Sequence, residues 1–124
     1  MKMITSENAP KALGPYSQAV VSGNFVFCSG CIALNPKSMV VEAHDIEGQT
    51  EQVFKNMAAI LEASGSSLGK VVKTTVFLKN MGDFQKMNAV YERLFEGHRP
   101  ARSTVEVAKL PLDVAVEIEC VATL

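Results

Sequence analysis

No stretch of this 124-residue chain approaches the ~20 consecutive apolar residues that span a bilayer, and the opening MKMITSENAP has no apolar signal region. A soluble, cytoplasmic protein is expected. Neither charge is in excess: twelve Lys plus Arg stand against thirteen Asp plus Glu. That balance argues against a general attraction to phosphate backbones and makes nucleic acid a poor candidate partner. Cysteine is sparse and odd in number (Cys28, Cys31 and Cys120), which fits free thiols in a reducing compartment. The two histidines, His44 and His98, lie in connecting segments and read as solvated side chains, so no histidine pair is available for nuclease chemistry. P-loop, GxGxxG and GxSxG motifs are absent, as are repeats, low-complexity segments and linkers. What is present, 48% hydrophobic and 20% charged residues, suffices for one core spanning residues 1–124, without disulfides or a structural metal.

Met3 to Thr5 reads as a short strand, and SENAPKALGPYS, with Pro10, Gly14 and Pro15, as an ordered loop. Gln18–Ser22 and Phe25–Leu34 are rich in Val and Phe, with Gly23-Asn24 between them, and predict a β-hairpin. Pro36 to Ala43 is a connection. Ile46, Val53, Phe54, Met57, Ile60 and Leu61 fall at helical spacing, with Asp45 as the cap and Gly65 at the end. Lys70–Lys79 predicts a central strand. A second helix is capped by Asp83 and carries the stripe Phe84, Met87, Val90, Tyr91, Leu94 and Phe95 to Gly97, with Asn88 as a lone amide inside it.

Ser103–Leu110 and Val114–Ala122 read as a closing hairpin turning at Pro111 and Leu112. Alternation places Val105 and Val107 with Val114, Val116, Ile118 and Cys120. Arg102, Thr104, Glu106, Glu117 and Glu119 are left together on a polar face. The order β-β-β-α-β-α-β-β predicts an α+β fold, a mixed sheet with both helices on one side. The uncovered face mixes apolar and charged residues, so self-association through it is expected.

Cys28-Ser-Gly-Cys31 has dithiol spacing but lies in strand-like sequence, where residues three apart face opposite ways unless Gly30 makes a bulge. Packed thiols are the simpler reading. Cys120, His44 and His98 show no ligand spacing, so neither a metal nor a cofactor is implied. Lys37, Lys70, Lys73, Lys79 and Lys86 are scattered among acids and form no phosphate track. Two readings fit Arg102. Spacing favours a salt bridge to Glu106, Glu117 or Glu119; alternatively, its guanidinium binds a substrate carboxylate through two parallel hydrogen bonds. Three glutamates exceed what one arginine neutralises, and crowded carboxylates are suited to general acid/base work.

Three stretches together, APKALGPYSQAV at 9–20, FVFCSGCIALNP at 25–36 and PARSTVEVAKLPLDVAVEIE at 100–119, resemble the RidA/YjgF family of imine and enamine deaminases, also called L-PSP endoribonucleases. The likeness extends through QTEQVFKNMAAILEASG and VVKTTVFLKNMGDFQKMNAVYE. It implies a chorismate-mutase-like α+β subunit in a homotrimer with a central sheet-lined barrel and clefts between protomers. It also implies cofactor-free hydrolysis of 2-aminoacrylate, 2-iminopropanoate or 2-iminobutanoate to 2-keto acids and ammonia.

By the same resemblance Arg102 grips the substrate carboxylate, Glu117 orients the attacking water, and Tyr16, Ser29 and Asn88 line the cleft. Tyr16 is a candidate to return a proton to the leaving amine, and the Thr104 hydroxyl a candidate hydrogen-bonding group. Thr104 replaces a frequent cysteine, Cys31 a usual glutamine, and KSMVVE lacks a common glycine. The alternatives are an endoribonuclease acting on messenger RNA and a non-catalytic small-acid sensor. One geometric difficulty accompanies the assignment. The expected hairpin sets Glu106 opposite Glu117, with Arg102 about 13 Å away along the strand. A longer loop, reach across a substrate, or a residue from a neighbouring protomer would each resolve it.

Overall fold

In a computed structural model describing residues 1–124, the strands are β1 (Lys2–Ile4), β2 (Ala19–Ser22), β3 (Phe25–Cys31), β4 (Val71–Leu78), β5 (Ala101–Glu106) and β6 (Val116–Thr123). The helices are α1 (Ile46–Ala63) and α2 (Phe84–Phe95). One sheet has the order β1-β2-β3-β6-β4-β5, with β4 and β5 parallel and every other pair antiparallel. The fold is the expected α+β arrangement. Gly23, at φ +58°, turns β2 into β3 as the Gly-Asn signal predicts.

The Asp45 carboxylate accepts from Gly48 N at 3.1 Å and caps α1 as expected. Asp83 makes no side-chain cap. A turn of 3-10 helix over Met81–Asp83 leads into α2 instead, with Asn80 Oδ1 accepting from Gly82 N. α1 packs on β3, β6 and α2. Phe54, Tyr91 and Phe95 interlock edge to face between the helices, with centroids 4.8–5.6 Å apart. The helix side of the sheet buries Val26, Val76, Leu78, Val116, Ile118 and Ala122.

The expected closing hairpin does not form. β4 lies between β5 and β6, so Thr74 is the ladder partner of both Arg102 and Cys120, and Phe77 of both Val105 and Glu117. Two rules were in competition: adjacent strands in sequence tend to pair, but β4-α2-β5 is also a crossover unit, which joins parallel strands. The crossover prevails, and β6 inserts where its alternating apolar residues are covered and both its edges are hydrogen-bonded. The link over Pro111–Asp113 is therefore a 3-10 turn crossing over β4, with Leu112 and Asp113 in the left-handed region.

This register dissolves the expected polar face. Cross-strand partners share a face, so Arg102, Thr104 and Glu106 lie on the helix side with Thr74, Val76 and Leu78. Glu117 and Glu119 lie on the open side with Phe77 and Thr75. Val105 belongs to the open side and not with the β6 core residues. That open face is unusually apolar: Phe27 is 49% exposed and Val105 42%.

Candidate active site

Arg102 sits on edge strand β5, half-buried beneath α2. Its Nη1 donates to Asn88 Oδ1 at 2.6 Å, and its Cζ lies 4.8 Å from the Tyr91 ring centroid and 5.4 Å from that of Phe84. Phe84, Asn88 and Tyr91 recur at i, i+4 and i+7, so one stripe of α2 supplies all three. The amide in the apolar stripe is thus explained: it meets the guanidinium. The ion pair favoured by spacing is absent. Glu106 accepts from Met81 N at 2.8 Å, and the chain's only salt bridges are Lys79–Asp113 and Arg93–Glu51. Arg102 is oriented by neutral groups and left un-neutralised, at one wall of a cleft of about 770 Å³ shared with Asn88, His98, Arg99 and Pro100.

Thr104, two residues along the same face, has a buried hydroxyl with no partner. An unmade bond of this kind costs about 1–3 kcal/mol. Thr104→Val is therefore expected to raise stability by about 1 kcal/mol in urea unfolding; a destabilised variant would show that the hydroxyl is bonded in solution.

The other expected residues gather elsewhere. Tyr16, Ser29 and Glu117 line a second cleft of about 140 Å³ with Gly30, Ile32 and Pro111. Ser29 Oγ donates to Ser17 O at 2.6 Å, and Ser29 N to Gln18 O at 3.0 Å, tying β3 to the loop that carries Tyr16. Gln18 is a positioning residue that sequence reasoning missed. Its buried amide accepts from Ser6 N and donates to Ser6 O and Pro10 O, folding the Pro/Gly-rich segment onto the sheet. A glutamine opening a strand-like run was the available signal.

Gly30 was also missed as a site residue. A Cβ there would stand 2.8 Å from Glu117 Cδ, so only glycine admits the carboxylate against the β3 backbone. The β3–β6 register does shift between Cys28 and Cys31. The thiols nevertheless stay free and buried. The hydrogen bond with Cys28, then burial, hold the Cys120 thiol well above its ordinary range. Burial, then repulsion from Glu119, raise the Glu117 carboxyl above the usual carboxylate range, which makes it a better base once ionised. His98 is engaged with Val71 O at 2.6 Å, and no cluster of His, Cys, Asp and Glu is arranged to hold a metal.

Arg102 and Glu117 thus occupy opposite faces of one subunit, about 10 Å apart along the strands and two strands apart across them. A guanidinium held by Asn88 and two aromatic rings, and a half-buried carboxyl set against Gly30, are both present, each placed by its own neighbours. The Endoribonuclease L-PSP family profile matches residues 6–124. The chain belongs to the RidA/YjgF family. It is 51% identical over 124 residues to the 2-iminobutanoate/2-iminopropanoate deaminase of Escherichia coli K12, covering 98% of this chain and 96% of that one. Among solved structures, the YjgF gene product of E. coli superposes with a TM-score of 0.95 at 50% identity, covering 99% and 98% of the two chains. E. coli TdcF with bound serine gives 0.95 at 41% identity, covering 100% and 99%. Family members include imine deaminases by name.

Proposed function

We propose that the protein hydrolyses 2-imino acids, 2-iminopropanoate and 2-iminobutanoate together with the tautomer 2-aminoacrylate, to 2-oxo acids and ammonia. The observation that carries this reading is Arg102: a half-buried guanidinium, aligned by Asn88 and aromatic rings, with no carboxylate of its own chain to satisfy it. Such a fork matches a substrate carboxylate. A related protein crystallised with serine, itself a small α-carboxylate, supports this ligand class.

In the proposed reaction, water adds to C2 of the protonated imine. A new C–O bond forms as the C=N π electrons move onto nitrogen, and Glu117 takes the proton from water. The carbinolamine then collapses: its nitrogen receives a proton, the C–N bond breaks as ammonia leaves, and C=O forms as the hydroxyl proton returns to the group that protonated the nitrogen, while Glu117 releases its proton to solvent. Tyr16, which lines the same cleft as Glu117, is the donor in this reading. Orientation by Arg102 supplies proximity, and general-base assistance typically adds about 10²–10⁴-fold. The Thr104 hydroxyl, unpartnered beside Arg102, gains its missing bond from the bound carboxylate in this scheme.

Arg102 and Glu117 meet at one substrate only if a second copy supplies one of them. The open sheet face, with Phe25, Phe27 and Val105 exposed, supports self-association there, and a trimer closes the arrangement around a sheet-lined centre. Phe27→Asp is expected to yield a monomer that keeps the helical circular-dichroism signal but has under about a tenth of the deaminase activity. Sedimentation velocity checks the state, and an active monomer overturns the shared site.

The deciding assay generates imine with an amino-acid oxidase or dehydratase and follows its loss by semicarbazide trapping. Faster loss with the protein than without it is expected. Unaltered imine decay together with tight 2-oxo acid binding would favour a sensor.

A further inference from the structure

We infer that Tyr91 is a positioning residue for Arg102, holding the guanidinium in the orientation that receives a carboxylate. The inference rests on the reading of Arg102 as a carboxylate anchor and adds the part of the fold that sets it. Tyr91 is 7% exposed and Thr74 0%, and their hydroxyls meet at 2.7 Å. Thr74 is the ladder partner of Arg102 on the adjacent strand. A closed circuit results: β4 holds the Tyr91 hydroxyl, the Tyr91 ring carries the Arg102 guanidinium at 4.8 Å, and β5 returns to β4 through the sheet.

Phe54 and Phe95 brace the ring edge to face at 5.6 and 4.8 Å, and the hydroxyl contact with Thr74 fixes its remaining tilt. Plain core packing would be served by phenylalanine at 91 and valine at 74, without two hydroxyls that must find each other in an apolar interior. The hydroxyl pair sets the position of the ring, and the ring with Asn88 sets the guanidinium plane. Arginine otherwise loses considerable rotamer freedom on gripping a ligand; a pre-set plane removes that cost before binding. The Tyr91 hydroxyl points to Thr74, not to the cleft, so its part is orientation and not proton transfer.

The test compares wild type, Tyr91→Phe, Tyr91→Leu and Arg102→Ala, using 2-oxobutanoate as the binding probe in calorimetry. Ligand-free NMR reports the Arg102 Nε–Hε resonance, which a ring beneath the guanidinium shifts upfield. Tyr91→Phe keeps the platform and is expected to bind within about threefold of wild type. Tyr91→Leu is expected to bind about tenfold more weakly, lose the upfield shift, and raise KM with little change in kcat.

Should Tyr91→Leu not fold, Thr74→Val frees the ring while keeping it. Weakening by about threefold is then expected, with recovery when Tyr91→Phe is added and no hydroxyl remains unpaired. Wild type that binds no 2-oxo acid overturns the anchor reading and this inference with it. Binding abolished by Arg102→Ala yet kept within about twofold by Tyr91→Leu (or by Thr74→Val in its place), with the Arg102 resonance unmoved, overturns the role of Tyr91 alone.

Discussion

Replacing Arg102 with alanine is expected to lower kcat/KM for 2-imino acids by about 10²–10³-fold and to remove measurable 2-oxo acid binding. The magnitude follows from what surrounds the side chain. No carboxylate of the chain pairs with it, so no internal ion pair must first be broken. The substrate then loses a two-bond, charge-assisted contact in a partly dehydrated cleft. Stability should hardly change, because the groups left behind are a neutral amide and ring faces that already belong to the core. Arg102→Lys keeps the charge but not the fork, and should retain about a tenth of wild-type kcat/KM. The semicarbazide-trapping assay separates these outcomes, and an Arg102→Ala protein that clears imine at the wild-type rate ends the carboxylate-clamp mechanism.

Glu117→Gln is the second large effect: kcat should fall about 10²–10⁴-fold while 2-oxo acid affinity stays close to wild type, since the anchor is untouched. The pH profile gives a sharper signature. Burial and the neighbouring Glu119 hold the Glu117 carboxyl above the usual carboxylate range. A base acts only when ionised, so kcat/KM should rise with pH through that raised value and be lost below it. In Glu117→Gln the ascending limb should disappear. Glu119→Gln removes one source of repulsion, so the limb should move to lower pH. A limb that stays in place in the Glu117→Gln protein assigns the titration to another group.

The elements were mostly legible in the chain. Asp45, Gly65 and the i, i+3, i+4 recurrence from Ile46 to Leu61 mark α1, because a helix must bury one stripe and cap its ends whatever it packs against. The Gly-Asn turn between Ser22 and Phe25 is equally local. Asn88 was visible as an oddity, a polar side chain at a core spacing, and its partner proved to be Arg102. Gly30 could be seen only as a glycine in a strand. That it makes room for Glu117 depends on a strand nearly ninety residues later in the chain. Asp83 misled because its capping composition is right, but the turn over Met81–Asp83 transfers the side-chain cap to Asn80.

Local chemistry alone determined the α+β class, the helices, the first hairpin and the residue types equipped for binding an anion and activating water. Strand neighbours are another matter. Whether Ala101–Glu106 pairs with Val116–Thr123 or lets Val71–Leu78 pass between them is settled by burial of the whole sheet under two helices, and no pairwise spacing encodes that total. Alternation tells which residues share a face within one strand, but the pairing of strands tells which faces coincide. Only the assembled sheet therefore put Arg102 beneath α2 and Glu117 on the opposite side, and so divided one apparent polar face between two clefts.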